Sequence, residues 1–245
     1  MEAAQTIRSA VARVGQLREA QAARPGLRDA VIRIKALQAR RFAGTYEDIM
    51  SRGPYSAAAT FFLNELYSER DFAERDAQFA RIAGAIERFF PSAVAQTAVN
   101  LASLHALTEA LDHGMGVAWL DLDASLADAA RYVAAWRQVG LRAEREAQLA
   151  DVLAIGREMA RLTRTPGLRT MLRMMRGPAH AAGLASLQGF LEAGFDTFAS
   201  MARGDGARAF LAIIAERETR LIADLFDAPL VACETQLART LGQAP

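Results

Sequence analysis

The sequence predicts an all-α protein, a single domain of roughly ten helices that begins with a helical hairpin. Apolar residues recur at three- and four-residue steps through most of the 245 residues, which is the period of an amphipathic helix. Alanine, leucine and arginine, all good helix formers, dominate the composition, whereas glycine and proline fall mostly between the periodic segments. No window alternates apolar and polar residues for long enough to predict a strand.

The N-terminal hairpin is predicted at residues 3–44. Ile7 and Val14 belong to the apolar stripe of a first helix, and Ile34 and Leu37 to that of a second. An Ala-Arg-Pro-Gly stretch separates the two stripes, and proline is well suited to the first turn of a helix. We expect this hairpin to pack onto the rest of the fold or to form a dimerisation arm.

Glycine, proline and capping signals divide the rest of the chain into further helices. A break is predicted near 114–123, where HGMG precedes WLDLD, and Gly140 is a predicted helix end. The predicted segments are a short helix after 48, 56–67, a helix stopped by Pro91, 92 to at least 113, 124–139, 141–165, a Met-rich helix near 171–175, 179–202, 207–226 and a last helix after Pro229.

Charge is balanced overall but uneven along the chain. The net charge is +1, yet residues 1–44 hold nine basic and three acidic side chains, and residues 92–130 hold five acidic and no basic ones. Such alternating blocks favour helices that attract one another within the fold or across a homodimer. They do not form the single basic face of a nucleic-acid-binding protein, so we expect no nucleic-acid partner.

Cysteine content and hydropathy exclude other classes. Cys233 is the only cysteine, so an internal disulfide or a multi-cysteine metal site is impossible, and we expect a buried, inert thiol. No apolar run approaches 18 residues, and the first residues lack the apolar core of a signal peptide. We therefore expect a cytoplasmic location and no membrane partner.

The stretch FFLNELYSERDFAERDAQF, residues 61–79, combines aromatic and charged side chains around a predicted chain reversal. As a structural corner, it ties helices together through apolar anchors and ion pairs. As a ligand site, the stretch provides a pocket for a polar or anionic group, lined by Tyr67, Asp71, Arg75 and Asp76. The guanidinium of Arg75 would bind that group by paired hydrogen bonds. No nucleophile and base accompany them, so no catalytic residue can be named.

The pattern FFL-x-x-LY-x-x-x-DF-x-x-RD at Phe61–Asp76 resembles a stretch in a family of uncharacterised all-helical bacterial proteins. The resemblance covers a small part of the chain. It implies a helical fold and implies no activity or cofactor.

Three histidines are candidate ligands. His105, Glu109, Asp112 and His113 share one side of a predicted helix, where they form either a metal site or a ladder on a solvated edge beside the leucine stripe. We favour the solvated ladder and assign no metal site, because the Glu-x-x-His spacing of di-iron bundles is missing.

His180 opens a helix that has a ridge of small residues from Ala179 to Gly194. The ridge fits either a close helix crossing or a pocket for a flat apolar ligand such as haem or a lipid. We favour the crossing but keep His180 as a candidate ligand-binding residue.

These observations predict a non-enzymatic helical binding or interaction protein, with an apolar pocket for a small molecule or a dimer surface, and with no cofactor. The alternative is a metal- or haem-dependent helical enzyme that uses His105, Glu109 and His113, or His180. A nucleic-acid regulator is a weaker third hypothesis, because no aromatic residues interleave with the basic N-terminal segment.

Overall fold

The computed structural model describes residues 2–51, 53–65, 72–201 and 206–243. These residues form thirteen helices and no strand, which confirms the predicted all-α class. None of these helices is both long and apolar enough to cross a bilayer. In chain order they are α1 (Glu2–Ala23), α2 (Leu27–Thr45), α3 (Glu47–Ser51), α4 (Ser56–Glu65), α5 (Ala73–Phe89), α6 (Ser92–Asp121), α7 (Asp128–Val139), α8 (Arg142–Leu162), α9 (Leu168–Met174), α10 (Arg176–Ala181), α11 (Ala185–Ser200), α12 (Gly206–Asp227) and α13 (Leu230–Thr240).

The predicted hairpin forms as α1 and α2. Gly26 closes the turn with a φ of 77°, a left-handed conformation that glycine adopts without strain. Ala4 and Ile7 of α1 are buried in a cluster with α5 and α6, and α2 lies along α6. Both helices therefore pack against α6, the 30-residue helix at the centre of the fold.

The predicted break near 114–123 is wrong in its first half, because α6 runs unbroken through Gly114 and Gly116 to Asp121. A Cβ atom at Gly116 would lie 2.5 Å from Cγ2 of Val31 on α2. Glycine at this position thus allows α2 to approach α6 closely, and it does not interrupt the helix. The chain leaves the helix only after Asp121.

The predicted helix at 179–202 is two helices, α10 and α11. Gly183 has a φ of 67°, and the N–H of Leu184 donates to the carbonyl of Ala179 in the 6→1 pattern of a glycine-terminated helix. The Gly177–Pro178 pair lies between the predicted Met-rich helix and the predicted helix at 179–202, but the structure places it within α10. The segments predicted along the chain number twelve, and this division gives the thirteenth described helix.

Oppositely charged segments meet as the charge blocks predict. Arg24 on the turn after α1 donates to Asp121 at the end of α6 at 2.9 Å, and Lys35 of α2 donates to Glu109 of α6 at 2.5 Å. Arg33 of α2 also pairs with Asp128 of α7. The basic N-terminal hairpin is thus attached to the acidic segment of α6 and α7 by charge as well as by apolar packing.

Buried apolar side chains form three clusters. The first joins α2, α6, α7, α12 and α13. The second joins α2, α4, α11 and α12 around Phe42, Phe62 and Phe210. The third joins α1, α5 and α6. Cys233 is buried in the first cluster, and burial raises the pKa of its thiol, as expected for an inert cysteine.

Candidate functional site

An interior cavity of about 290 Å³ lies where the three apolar clusters meet. A dry cavity of about 150 Å³ is large enough to bind benzene, so this one has room for a larger organic molecule. Its walls are mainly apolar and come from most of the long helices. Seven phenylalanines are among the residues that line it: Phe42, Phe62, Phe72, Phe79, Phe90, Phe190 and Phe195.

One part of the cavity wall is strongly polar. Lys35, Gln38 and Arg41 project from one side of α2 and line the cavity. Gln38 and Arg41 are buried although both are polar. Since buried polar groups are costly without partners, the partners of these three side chains define the chemistry of this wall.

Two of the partners come from α6. Nζ of Lys35 lies 2.5 Å from Oε1 of Glu109, and Nε2 of Gln38 donates to Oδ1 of Asp112 at 2.9 Å. Asp112 is 2% exposed. Burial raises the pKa of its carboxyl, the charge of Glu109 raises it further, and Lys35 and Gln38 only partly offset these effects. Asp112 therefore holds a proton to a higher pH than an ordinary aspartate.

The third partner comes from α12. Nη1 of Arg41 and the hydroxyl of Tyr46 both donate to Oε1 of Glu218, at 2.5 and 2.9 Å. All three side chains are buried. This contact joins α2 to α12 across 177 residues of sequence.

Aromatic and cationic groups extend the polar wall towards α7 and α8. The guanidinium of Arg145 lies 4.0 Å from the centroid of the Trp136 ring, and Tyr132 stacks on the same ring. All three line the cavity. Among the described residues, the buried indole Nε1 of Trp136 finds no hydrogen-bond partner.

A second charged cluster lies on the cavity wall at α5. Oδ2 of Asp76 accepts a hydrogen bond from Arg18 at 2.6 Å and lies 3.1 Å from Nε2 of His105. Burial opposes ionisation of Asp76, but His105 and Arg18 outweigh it together, so the pKa of this carboxyl is lowered. The cluster fastens α1, α5 and α6 to one another.

Arg75 completes this side of the cavity. Its guanidinium donates to Glu65 at 3.0 Å and lies 3.9 and 4.4 Å from the ring centroids of Phe72 and Phe190. A cation between two aromatic faces and beside a carboxylate is held in one orientation. Arg75 therefore joins α4, α5 and α11 at the cavity wall.

The residues predicted as ligand-binding separate into three groups. Arg75 and Asp76 line the cavity, where Arg75 pairs with Glu65 of α4 and Asp76 with Arg18 of α1. Tyr67 and Asp71 lie outside the described residues. His180 is exposed on the short helix α10 and is not among the residues that line the cavity.

The prediction of a solvated ladder on α6 is wrong. Glu109 and Asp112 are only 5% and 2% exposed, because α2 covers them with Lys35 and Gln38. His105 turns to Asp76 instead of Glu109. Within the ranges that the structure describes, no three His, Cys, Asp or Glu side chains are grouped closely enough to hold a metal ion.

Sequence reasoning missed most of the polar wall, namely Lys35, Gln38, Arg41, Arg145 and Glu218. One signal was present, because Lys35 is the only lysine among 29 basic residues. A second signal was the position of Gln38 and Arg41 next to the apolar stripe of α2, because residues at the border of such a stripe can be buried together with it.

Comparison with known proteins places the chain in a family. No curated protein and no solved structure matches it. A family model described as a domain of unknown function, DUF8198, matches residues 17–230, which include α2 to α12 and every helix that lines the polar wall. The chain belongs to this family.

Proposed function

We propose that the protein is a non-enzymatic binding protein that holds a small, mainly apolar molecule in the interior cavity. The cavity itself is the observation that supports this function. Close packing normally leaves few voids larger than a water molecule inside a protein. The cavity of this protein has a volume of about 290 Å³. Concave sites with apolar walls and a few polar groups are the usual form of small-molecule sites.

The charges on the wall favour a ligand whose polar group is neutral. Lys35 is paired with Glu109, Arg41 with Glu218, and Arg75 with Glu65. With Arg145 these are the four cations of the described cavity wall, and five carboxyl groups line it as well: Glu65, Asp76, Glu109, Asp112 and Glu218. The wall therefore has no excess positive charge to attract an anion.

A metal- or haem-dependent enzyme is less well supported. His105 is engaged by Asp76, and His180 is exposed away from the cavity wall. The homodimer, the cytoplasmic location, the bacterial origin and the absence of a nucleic-acid or membrane partner remain predictions from the sequence. Sedimentation velocity tests the homodimer, which a mass of one chain at all concentrations would contradict.

Titration with the fluorescent probe N-phenylnaphthylamine tests the binding function. We expect one probe molecule to bind per chain. Leu101 and Leu107 are both half-buried on α6, but only Leu101 lines the cavity. Leu101→Trp should fill part of the cavity and weaken binding at least about tenfold, whereas Leu107→Trp should change it little. Equal effects of the two substitutions, or no saturable binding, would contradict the proposed function.

A further inference from the structure

We propose that Lys35 binds its ligand covalently, as an imine with an apolar aldehyde or ketone held in the cavity. This inference rests on the proposed function, because the cavity must first admit the carbonyl compound. It adds the chemical class of the ligand and the atom, Nζ of Lys35, to which the ligand is attached.

The first argument is the choice of residue at position 35. The chain uses arginine at 28 of its 29 basic positions, including Arg41 and Arg145, which are buried in the same wall. Arginine serves ion pairing at least as well as lysine does, because its guanidinium is a fixed fork that stays charged. Only lysine has an amine that becomes a nucleophile on losing a proton. The one lysine thus lies at a position where an amine can act as a nucleophile, which a guanidinium cannot do.

The second argument is the location of the amine. Lys35 lines the cavity and its side chain is 17% exposed. Condensation of an amine with a carbonyl releases water, and imines hydrolyse readily in bulk water. The mainly apolar walls of the cavity reduce the water around such a bond and hold the carbonyl carbon near the amine.

The third argument is the acid–base partner. Oε1 of Glu109 lies 2.5 Å from Nζ of Lys35, and the Glu109 side chain is 7% exposed. Glu109 is placed to take a proton from the ammonium group and so to free the amine for attack. Within the described part of the chain, Glu109 is the carboxylate that lies within hydrogen-bond distance of this amine, so Glu109 is assigned both proton transfers.

The reaction balances without any further reagent. The free amine of Lys35 attacks the carbonyl carbon, the C=O π electrons move to oxygen, and a carbinolamine forms after proton transfer from nitrogen to oxygen. Glu109 returns its proton to that hydroxyl, the C–O bond breaks, and water leaves. The products are a protonated imine on Lys35 and one water molecule. Glu109 ends as a carboxylate and neutralises the iminium charge.

Reductive trapping tests this inference. The intact protein is incubated with naphthaldehyde and cyanoborohydride, and the adduct is located by peptide mass mapping. We expect a single adduct at Lys35. The matched control is the double variant Arg28→Lys and Lys35→Arg, which keeps one lysine but moves it to an exposed position on α2, two turns earlier. We expect Lys35 of the natural protein to react at least about tenfold faster than the relocated amine.

The outcomes separate the inference from the proposed function. Ethylnaphthalene has the same ring system but no carbonyl, and its binding is measured by displacement of N-phenylnaphthylamine. If ethylnaphthalene binds but Lys35 reacts no faster than the relocated amine, the covalent inference is wrong and the binding function stands. If ethylnaphthalene does not bind either, the binding function is contradicted. If the double variant fails to fold, competition on the natural protein replaces it: saturating ethylnaphthalene should slow labelling of Lys35 by naphthaldehyde at least about tenfold, and an unchanged rate would overturn the inference.

Discussion

The glycines inside α6 allow a sharp test of the packing that forms one side of the cavity. Gly114 and Gly116 are two residues apart in the same helix, and neither has a positive φ. Alanine at either position removes the same backbone freedom, so both substitutions gain the same helix propensity, about 1 kcal/mol. They differ in what the new methyl group meets.

The contact distances give opposite expectations for the two sites. At Gly114 the nearest atom to a Cβ is Cγ1 of Val139 at 3.6 Å, which is an ordinary contact. At Gly116 it is Cγ2 of Val31 at 2.5 Å, with the backbone N of Val31 at 3.3 Å. Valine is stiff at χ1, so Val31 cannot turn away without moving α2. Overpacking of this kind costs about 1–3 kcal/mol.

We therefore expect Gly114→Ala to stabilise the protein by about 1 kcal/mol. We expect Gly116→Ala to be about 1–3 kcal/mol less stable than Gly114→Ala. Urea unfolding followed by circular dichroism measures both free energies of unfolding. Equal shifts in the two variants would refute the close approach of α2 to α6, and with it the position of Lys35 and Gln38 against Glu109 and Asp112.

Two buried aspartates should show opposite pH dependence. The lowered pKa of Asp76 means that its ionised form stabilises the fold above its ordinary value of 3.8 and that this stabilisation is lost as pH falls through the lower folded value. Asp76→Asn should therefore lower the free energy of unfolding by about 2 kcal/mol at pH 7 and by less in acid. A loss that does not change with pH would contradict the ion pairs of Asp76. The raised pKa of Asp112 means that ionisation destabilises the fold as pH rises above 3.8. As the pH rises from acid to neutral, Asp112→Asn should therefore become more stable relative to the natural protein. Urea unfolding at several pH values measures this difference. A relative stability that instead increases towards acid pH would refute the burial argument.

Local patterns were sufficient to predict most of the helices. The stripes of Ile7 and Val14, and of Ile34 and Leu37, predicted α1 and α2, and all four side chains are buried. Gly140 ends α7 as predicted, with a φ of 66°. Such features depend on neighbours within one or two turns, which the sequence shows directly.

Glycine was the main source of error in the helix boundaries. A glycine that ends a helix and a glycine that admits a neighbouring helix look the same in sequence. Gly183 ends α10 although an unbroken helix was predicted at 179–202. Gly116 lies inside α6 although a break was predicted there. The difference lies in contacts with other helices, such as Val31 against Gly116.

The polar wall could not be predicted because its contacts span the chain. Lys35 and Glu109 are 74 residues apart, and Arg41 and Glu218 are 177 apart. Charged residues on a helix are usually solvated, so Glu109 and Asp112 were assigned to a solvent face. Only the position of α2 over α6 shows that they are buried. The sequence indicates Arg75, Asp76 and His105 as candidates, but it does not predict the pairing of Arg75 with Glu65 or of Asp76 with Arg18 and His105.

Native mass spectrometry of freshly purified protein, beside the same sample denatured, tests the central claim most directly. If the cavity binds a small, mainly apolar molecule, the native spectrum should show extra mass that is absent after denaturation, or that remains on Lys35 after reduction with cyanoborohydride. Bare chains, or simple multiples of the chain mass, in the native spectrum together with no uptake of added N-phenylnaphthylamine would contradict the claim.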